Sequence, residues 1–269
     1  MRHFPRLLVM MAVCALAAHA QETPAQEEEQ PNRFTTLREN VRTLMNSVQG
    51  LSDWDTHYGL MMNSFEKVFE RNGWTSEPDQ FSLNLVREVN SIPPWSPQER
   101  FDKFMEVVSD RYLLDEDQEN TLKRIVIREA LGIYLEHSDR IVAYATDAIS
   151  TRAAGEAFTP EKVAEWIELA RPVMETGRAR MNVAAKEFQR QLDPEQKALL
   201  QADLDAANHR MSDMERMSAS WAKGEWTPAD WGMEEDPIQL AGEARNAAAG
   251  DSAKQQPGGD VAKAVTESD

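Results

Sequence analysis

An all-α protein is predicted from three observations. Apolar residues recur at steps of three and four over long stretches, helix-start signatures are frequent, and no run alternates apolar with polar residues as a half-buried strand would. The expected architecture is a long bent antiparallel helical hairpin with additional N-terminal helices and a disordered acidic C-terminal tail. The 269 residues divide into a secretory signal peptide (1–20), a disordered lead-in (21–33), an N-terminal helical region (34–92), the hairpin domain (93–231) and the acidic tail (232–269).

The first segment carries Arg2 and Arg6, an apolar run from Leu7 to Ala18, and Ala18-His19-Ala20, the order of a secretory signal with an A-x-A cleavage site. The mature chain is expected to begin at Gln21 and to be periplasmic or secreted. Cys14, the one cysteine, lies inside the apolar run behind Val13, where a lipoprotein signal carries Gly, Ala or Ser, so an ordinary cleaved signal is expected. Cleavage leaves no disulfide, thiolate nucleophile or cysteine-ligated metal. No other run approaches the roughly 18 apolar residues that cross a bilayer, so no membrane insertion is expected.

From Gln21 to Arg33 the chain is Gln, Glu and Pro without apolar period, and from Met233 onward Gly250, Pro257, Gly258 and Gly259 break any long helix. Between these, Thr36-x-x-Glu39, Ser52-x-x-Asp55, Ser96-Pro97-Gln98-Glu99, Thr159-Pro160-Glu161 and Thr227-Pro228 pair a capping residue with an acid or with proline at the first helical position. Stops fall at Gly50, Asn72-Gly73, Pro93-Pro94 and Gly155.

Behind Asp115 one stripe runs through Leu122, Val126, Ala130, Ile133, His137, Ile141, Tyr144 and Ala148, a face about 50 Å long at 1.5 Å per residue. A second runs from Val163 through Trp166, Ala170, Val173, Gly177, Met181, Ala184 and Phe188 to Leu192. The two stripes complement one another, which predicts an antiparallel hairpin turned at Thr151 to Phe158. Pro172 removes one backbone bond and crowds the preceding turn, so a kink is expected there.

A short pattern occurs twice, 78 residues apart: Leu114-Asp115-Glu116-Asp117-Gln118 and Leu192-Asp193-Pro194-Glu195-Gln196. In each, Asp can cap the helix by accepting the N–H three residues on, while Gln reaches back to the cap's own N–H, a capping box written Asp-x-x-Gln. The likeness extends downstream, with Leu122 and Val126 at the offsets of Leu200 and Leu204. This unit resembles the LTxxQ motif of the Spy/CpxP family of small all-helical periplasmic proteins, with Asp in the place of Thr in both copies. The resemblance covers at most residues 101–221. It implies a cradle-shaped homodimer of bent hairpins and roles as ATP-independent chaperone, envelope-stress regulator or metal-responsive protein.

The formal net charge is −17, and removal of the two signal arginines takes it to −19. Such a field repels nucleic acid, and no basic patch with interleaved aromatics tracks phosphates. Anionic lipid is disfavoured likewise. Basic or partly unfolded protein partners meet no such repulsion, although charge of this size also simply keeps a protein soluble.

Candidate sites follow. His137 interrupts the first stripe, as a titratable group or as a core histidine satisfied by one hydrogen bond. His209, Met211, Met214 and Met217 lie on one late helix and offer soft ligands for Cu(I), with zinc the other candidate metal, although no second His or Cys stands at i+3 or i+4 from His209; flexible Met side chains equally fill a core or form an adaptable apolar surface. Trp221, Trp226 and Trp231 stand five apart, as a docking patch or as a staple holding the last helix to the body. The apolar residues expected to meet a client or partner are Met174, Met181, Phe188, Met211, Met214, Trp221 and Trp226. There is no Gly-x-Ser-x-Gly elbow, phosphate loop, His-Glu-x-x-His helix or glycine fingerprint, so catalysis is not expected, and no cofactor is required. The expected function is that of a periplasmic holdase or stress adaptor that binds unfolded or partner proteins through a bent apolar face. A metal-responsive or metal-sequestering role is the alternative.

Overall fold

Helix caps and stops partition the chain first. A computed structural model describes residues 53–254; the signal segment, the lead-in, the Thr36 helix start and residues 255–269 lie outside the described residues. Among the described residues there are seven α-helices and no strand: α1 Trp54–Arg71, α2 Glu77–Ser91, α3 Pro97–Tyr112, α4 Glu116–Ala153, α5 Pro160–Phe188, α6 Pro194–Trp221 and α7 Pro237–Lys254. Short 3-10 turns occupy Gln189–Gln191 and Pro228–Trp231. The fold is all-α.

Each start has a local cause. Asp53, one residue after the expected Ser52, caps α1 by accepting from the Thr56 amide at 3.2 Å, and Ser76 with Asp79 forms a capping box on α2. Thr159 caps α5 and accepts from the Lys162 amide at 3.3 Å, with Pro160 at the first helical position. Asp115 and Asp193 build the two expected boxes on α4 and α6. Gly73 after α1 and Gly155 after α4 adopt positive φ, as helix stops favour. After α3 the same left-handed position is filled by Leu113 at φ 51°, a residue that is 85% exposed.

Helices α4 and α5 form an antiparallel hairpin whose partners descend one helix as they climb the other: Gln118 with Gln191, Glu129 with Arg180, His137 with Thr176, and Asp147 with Trp166. Pro172, where the kink is expected, lies inside α5. Helix α5 continues through Pro172, whose missing N–H frees one carbonyl without ending the helix. The backbone break lies in α4 at His137, with φ −128° and ψ 18°. Its Nε2 is 2.8 Å from Thr176 Oγ1 across the hairpin seam.

Helices α1 and α2 form a second hairpin, α2 packs on α3 and α6, and α6 returns along α5. Burial separates into two apolar clusters. The larger gathers α1, α2, the middle and end of α4, the first half of α5, the end of α6 and the 3-10 turn at Trp231. The smaller gathers Val89, the inner face of α3, Leu122, Ile125, Phe188 and Leu192.

At the end nearest the smaller cluster the two sequence repeats meet. Gln118 Nε2 donates to Gln196 Oε1 at 2.9 Å and to the Gln191 carbonyl at 2.9 Å. Gln196 Nε2 donates back to Gln118 Oε1 at 3.1 Å and to the Tyr112 and Leu113 carbonyls at 2.9 and 3.3 Å. Each Oε1 also accepts its own cap's amide, from Asp115 and Asp193. Both amides are therefore saturated, and each reaches the carbonyl two residues before the other repeat's cap.

The tail from residue 232, expected to be disordered, is corrected over its described part. Asp236, 6% exposed, pairs with Arg152 at 2.8 Å and accepts the first amides of α7, Ile238 and Gln239. Gln239, 1% exposed, accepts the Phe158 amide at 3.0 Å, and Arg245 donates to the Gly155 carbonyl. Gly242 leaves room for this approach, since a Cβ there would strike the Ala157 backbone. Composition showed polarity and glycine; these partners, 81 and 90 residues away, override it.

Two outcomes are expected. Gln118→Ala and Gln196→Ala should each cost about 1–2 kcal/mol in denaturant unfolding, and the double variant less than their sum by about 1 kcal/mol; strict additivity would dissolve the coupled pair. Gly242→Ala should undock the start of α7, with amide-exchange protection of Phe158 falling by about tenfold; unchanged protection would show the contact to be incidental.

Candidate functional site

Where the two apolar clusters face each other, α2, α3, α4, α5 and α6 leave an open cleft of about 300 Å³. Its walls are helical stripes. Phe81 and Leu85 come from α2, Phe104 and Val108 from α3, Leu122, Val126 and Ile133 from α4, Met181, Ala184 and Phe188 from α5, and Leu200, Leu204 and Met211 from α6. Phe81, Leu85, Val126, Met181, Ala184 and Leu200 are half-buried, so the wall is reachable from solvent.

The polar groups at this cleft are tied to one another. Asp203, 7% exposed, accepts from Arg111 Nη2 at 2.8 Å and from the Tyr112 hydroxyl at 2.8 Å. Arg111 reaches Glu77 as well and stacks over the Phe81 ring at 4.6 Å. Burial, then the Asp203 charge, push the Tyr112 hydroxyl far up, so it stays a donor at any physiological pH. Across the cleft Arg180 is shared by Glu129 at 3.1 Å and Glu136 at 3.2 Å, and its guanidinium lies over Gly132, where a Cβ would collide with it. With these groups mutually satisfied, the surface offered inside is carbon and thioether. It suits apolar side chains.

A second cavity of about 190 Å³ lies on the other side of the α2–α6 contact, between α1, α2, α6 and the Pro228–Trp231 turn, sharing Ser82, Leu85 and Ala207 with the cleft. Next to it sits a buried ion pair. Arg210, 4% exposed, reaches Asp79 across 131 residues of sequence and donates to Ser82 Oγ at 2.6 Å. Burial pushes the Asp79 carboxyl up, but the Ser76 hydroxyl and the Arg210 guanidinium outweigh it and hold it below the usual carboxylate range. Asp213 is also held low: burial opposes it, and the Trp74 indole at 2.8 Å, His209 and Arg216 prevail.

The structure divides the residues singled out from sequence. Leu114, Asp115, Gln118, Leu192, Asp193 and Gln196 converge on the linked caps, and Gln118 and Gln196 do structural work there. Of the apolar candidates, Met181, Phe188 and Met211 line the cleft, Met214 and Trp221 line the second cavity, and Met174 and Trp226 belong to the larger core cluster. Met174, Trp221 and Trp226 are 3–4% exposed and form no surface patch. Trp221 packs on Trp231 at 4.8 Å, as a staple would. The four proposed metal ligands do not share one point: His209 is exposed and 3.5 Å from Asp213, Met211 faces the cleft, and Met214 and Met217 face the second cavity. Among the described residues no group of three or more His, Cys, Asp or Glu is placed to hold a metal ion.

Sequence reasoning missed the α2 and α3 walls of the cleft. Their signal was present in Phe101, Phe104, Met105, Val108 and Tyr112 at steps of three and four, and in Phe81, Leu85 and Val89. Pairing Asp79 with Arg210, or Asp203 with Arg111, had no local signal.

Because Asp79 and Asp213 titrate below their unfolded values near 3.9, their stabilisation is complete above that pH and is lost as pH falls through the depressed values. The thermal midpoint should therefore drop steeply below about pH 4. Asp79→Asn should cost about 3–5 kcal/mol at pH 7 by stranding Arg210, and should flatten the acid limb. An unchanged acid limb in that variant would remove Asp79 from the account. Comparison of the chain with known protein families, curated proteins and solved structures finds no match.

Proposed function

We propose that this chain is a non-catalytic binding protein of the periplasm that holds apolar segments of unfolded or partner proteins in the α2–α6 cleft without ATP. One observation carries this: a cleft of about 300 Å³ with carbon walls, open to solvent, whose charged neighbours are already paired with one another. Such a site rewards burial of apolar area, at roughly 25 cal/mol per Å², and makes few directional demands on the partner. Met181 and Met211 give the wall thioethers that adapt to different side-chain shapes. The secretory signature of the first twenty residues and the resemblance of the paired Leu-Asp-x-x-Gln units to the Spy/CpxP motif support the same role and compartment. The acidic surface adds a bias toward basic clients by long-range attraction. The metal-binding alternative gains no support from the dispersal of His209, Met211, Met214 and Met217.

Purified Gln21–Asp269 at one-to-one stoichiometry, without nucleotide and with chelator present, should suppress light scattering from a chemically denatured model client diluted into buffer. Met181→Glu, a half-buried wall position, should weaken suppression about fivefold by placing a charge against apolar client surface, with an unchanged circular-dichroism spectrum and thermal midpoint. No suppression by the unaltered protein at about tenfold excess would overturn the proposal.

A further inference from the structure

The second cavity, between α1, α2, α6 and the Pro228–Trp231 turn, is lined as a ligand site in its own right. Its volume of about 190 Å³ exceeds the roughly 150 Å³ at which an internal cavity walled by carbon stays dry and takes up benzene. Aromatic rings dominate the walls. Phe69 meets Trp74 edge to face at 5.3 Å and 89°, and Trp221 lies against Trp231 at 4.8 Å and 35°. Such walls favour another ring, which can pack offset or edge-on against them, over a branched alkane of the same volume. Met214 and Met217 add polarizable thioethers, which contact ring edges favourably.

The polar side chains of the lining are committed to the protein. Ser64 and Ser82 donate to the Leu60 and Pro78 carbonyls at 3.1 and 3.0 Å, and the Trp74 indole donates to Asp213 at 2.8 Å. Arg210 is held by Asp79 and Ser82, and Asp230 accepts the Thr227 amide at 2.7 Å. A molecule entering here gives up its hydrogen bonds to water without replacement, which selects against polar and charged groups. The Asp230 carboxylate adds repulsion against an anion. Trp74, Met214, Trp221 and Trp231 are buried, whereas Phe65, Met217 and Asp230 are half-buried, so solvent reaches the cavity past the flexible Met217 side chain.

We propose that this cavity binds a neutral single-ring aromatic molecule, from a substituted benzene up to an indole. A bound ring makes the dispersion contacts that walls this far apart cannot make with each other. The site is separate from the cleft, with which it shares only Ser82, Leu85 and Ala207, and it does not depend on capture of protein segments there.

Toluene titrated into purified Gln21–Asp269, followed by calorimetry and thermal unfolding, tests this. Saturable one-to-one binding and a rise of a few degrees in the thermal midpoint are expected. Benzoate, a ring of similar size carrying a charge, should bind at least about tenfold more weakly. The indole N–H resonances of Trp74, Trp221 and Trp231 should shift with toluene, while that of Trp166, which lines neither cavity, should not. Met217→Trp, which fills the cavity from its half-buried edge, should lower the affinity at least about tenfold, and Met181→Glu in the cleft should leave it unchanged. Absence of binding up to the solubility of toluene, or benzoate binding as tightly, would overturn the proposal. Loss of binding in Met181→Glu with retention in Met217→Trp would overturn it too, by assigning the ring to the cleft. Should Met217→Trp fail to fold, the unaltered chain still decides, since unmoved Trp74, Trp221 and Trp231 resonances would place the ring elsewhere.

Discussion

The reciprocal amide pair between Gln118 and Gln196 is the constraint on which the rest of the architecture hangs. A capping glutamine ordinarily serves one helix. Here each also donates to the other helix's glutamine and to the carbonyl that precedes the other cap, so the starts of α4 and α6, the end of α3 and the end of α5 meet at one knot. The knot closes the helical bundle at the end where the smaller apolar cluster lies. With that end fixed, α6 runs back along α5 while Asp203 ties it to Arg111 and Tyr112 of α3, and the cleft lies among these helices, α2 and α4. The knot's cost falls on its neighbour: Leu113 is held in a left-handed conformation that a leucine adopts at roughly 1–2 kcal/mol, while its carbonyl accepts from Gln196.

Polar groups elsewhere do the same kind of work over longer distances. Arg210 with Asp79, and Arg111 with Asp203 and Glu77, each bring α6 or α3 against α2 at a fixed height. Buried pairs of this kind contribute little net stability compared with well-packed apolar substitutes, but removing one partner is expensive because the other is left charged and dry. They therefore specify register. In this bundle register decides which residues face the cleft: moving α6 by one residue against α2 would turn Leu204 and Met211 away and present their polar neighbours.

What the sequence made legible follows this division between local and distant causes. The capping boxes at Asp115 and Asp193, the Thr159-Pro160 start, the hairpin turn after Thr151 and the two apolar stripes were all readable, because each is a matter of a few neighbouring residues. The box at Ser76 and Asp79 was equally local and was overlooked. Pro172 lies inside a continuous α5, and α4 carries a break at His137 that no proline announces, where the side chain bonds to Thr176 on the facing helix. The tail was judged by composition alone. Its first half is held by Asp236, Gln239 and the close approach at Gly242, whose partners lie on the α4–α5 turn and leave no mark in the local pattern. The cleft was half legible: Met181, Phe188 and Met211 stood out, whereas the α2 and α3 walls and every ion pair at the rim required the assembled helices.

Half-exposed carbon is the residual that needs a cause. Phe81, Leu85, Val126, Met181 and Leu200 could each be shortened or made polar at little cost to folding, since none is deeply buried. Contiguous apolar surface also carries an aggregation hazard that a chain of such charge otherwise manages well. Among the described residues the local rules for caps and apolar stripes are followed at most helix starts, and departures from such rules concentrate where a surface is used. The strained Leu113, by contrast, is accounted for by the knot next to it. The half-exposed carbon of the cleft has no structural cause of that kind, and the burial of an apolar segment against it is the use that the proposed function gives it.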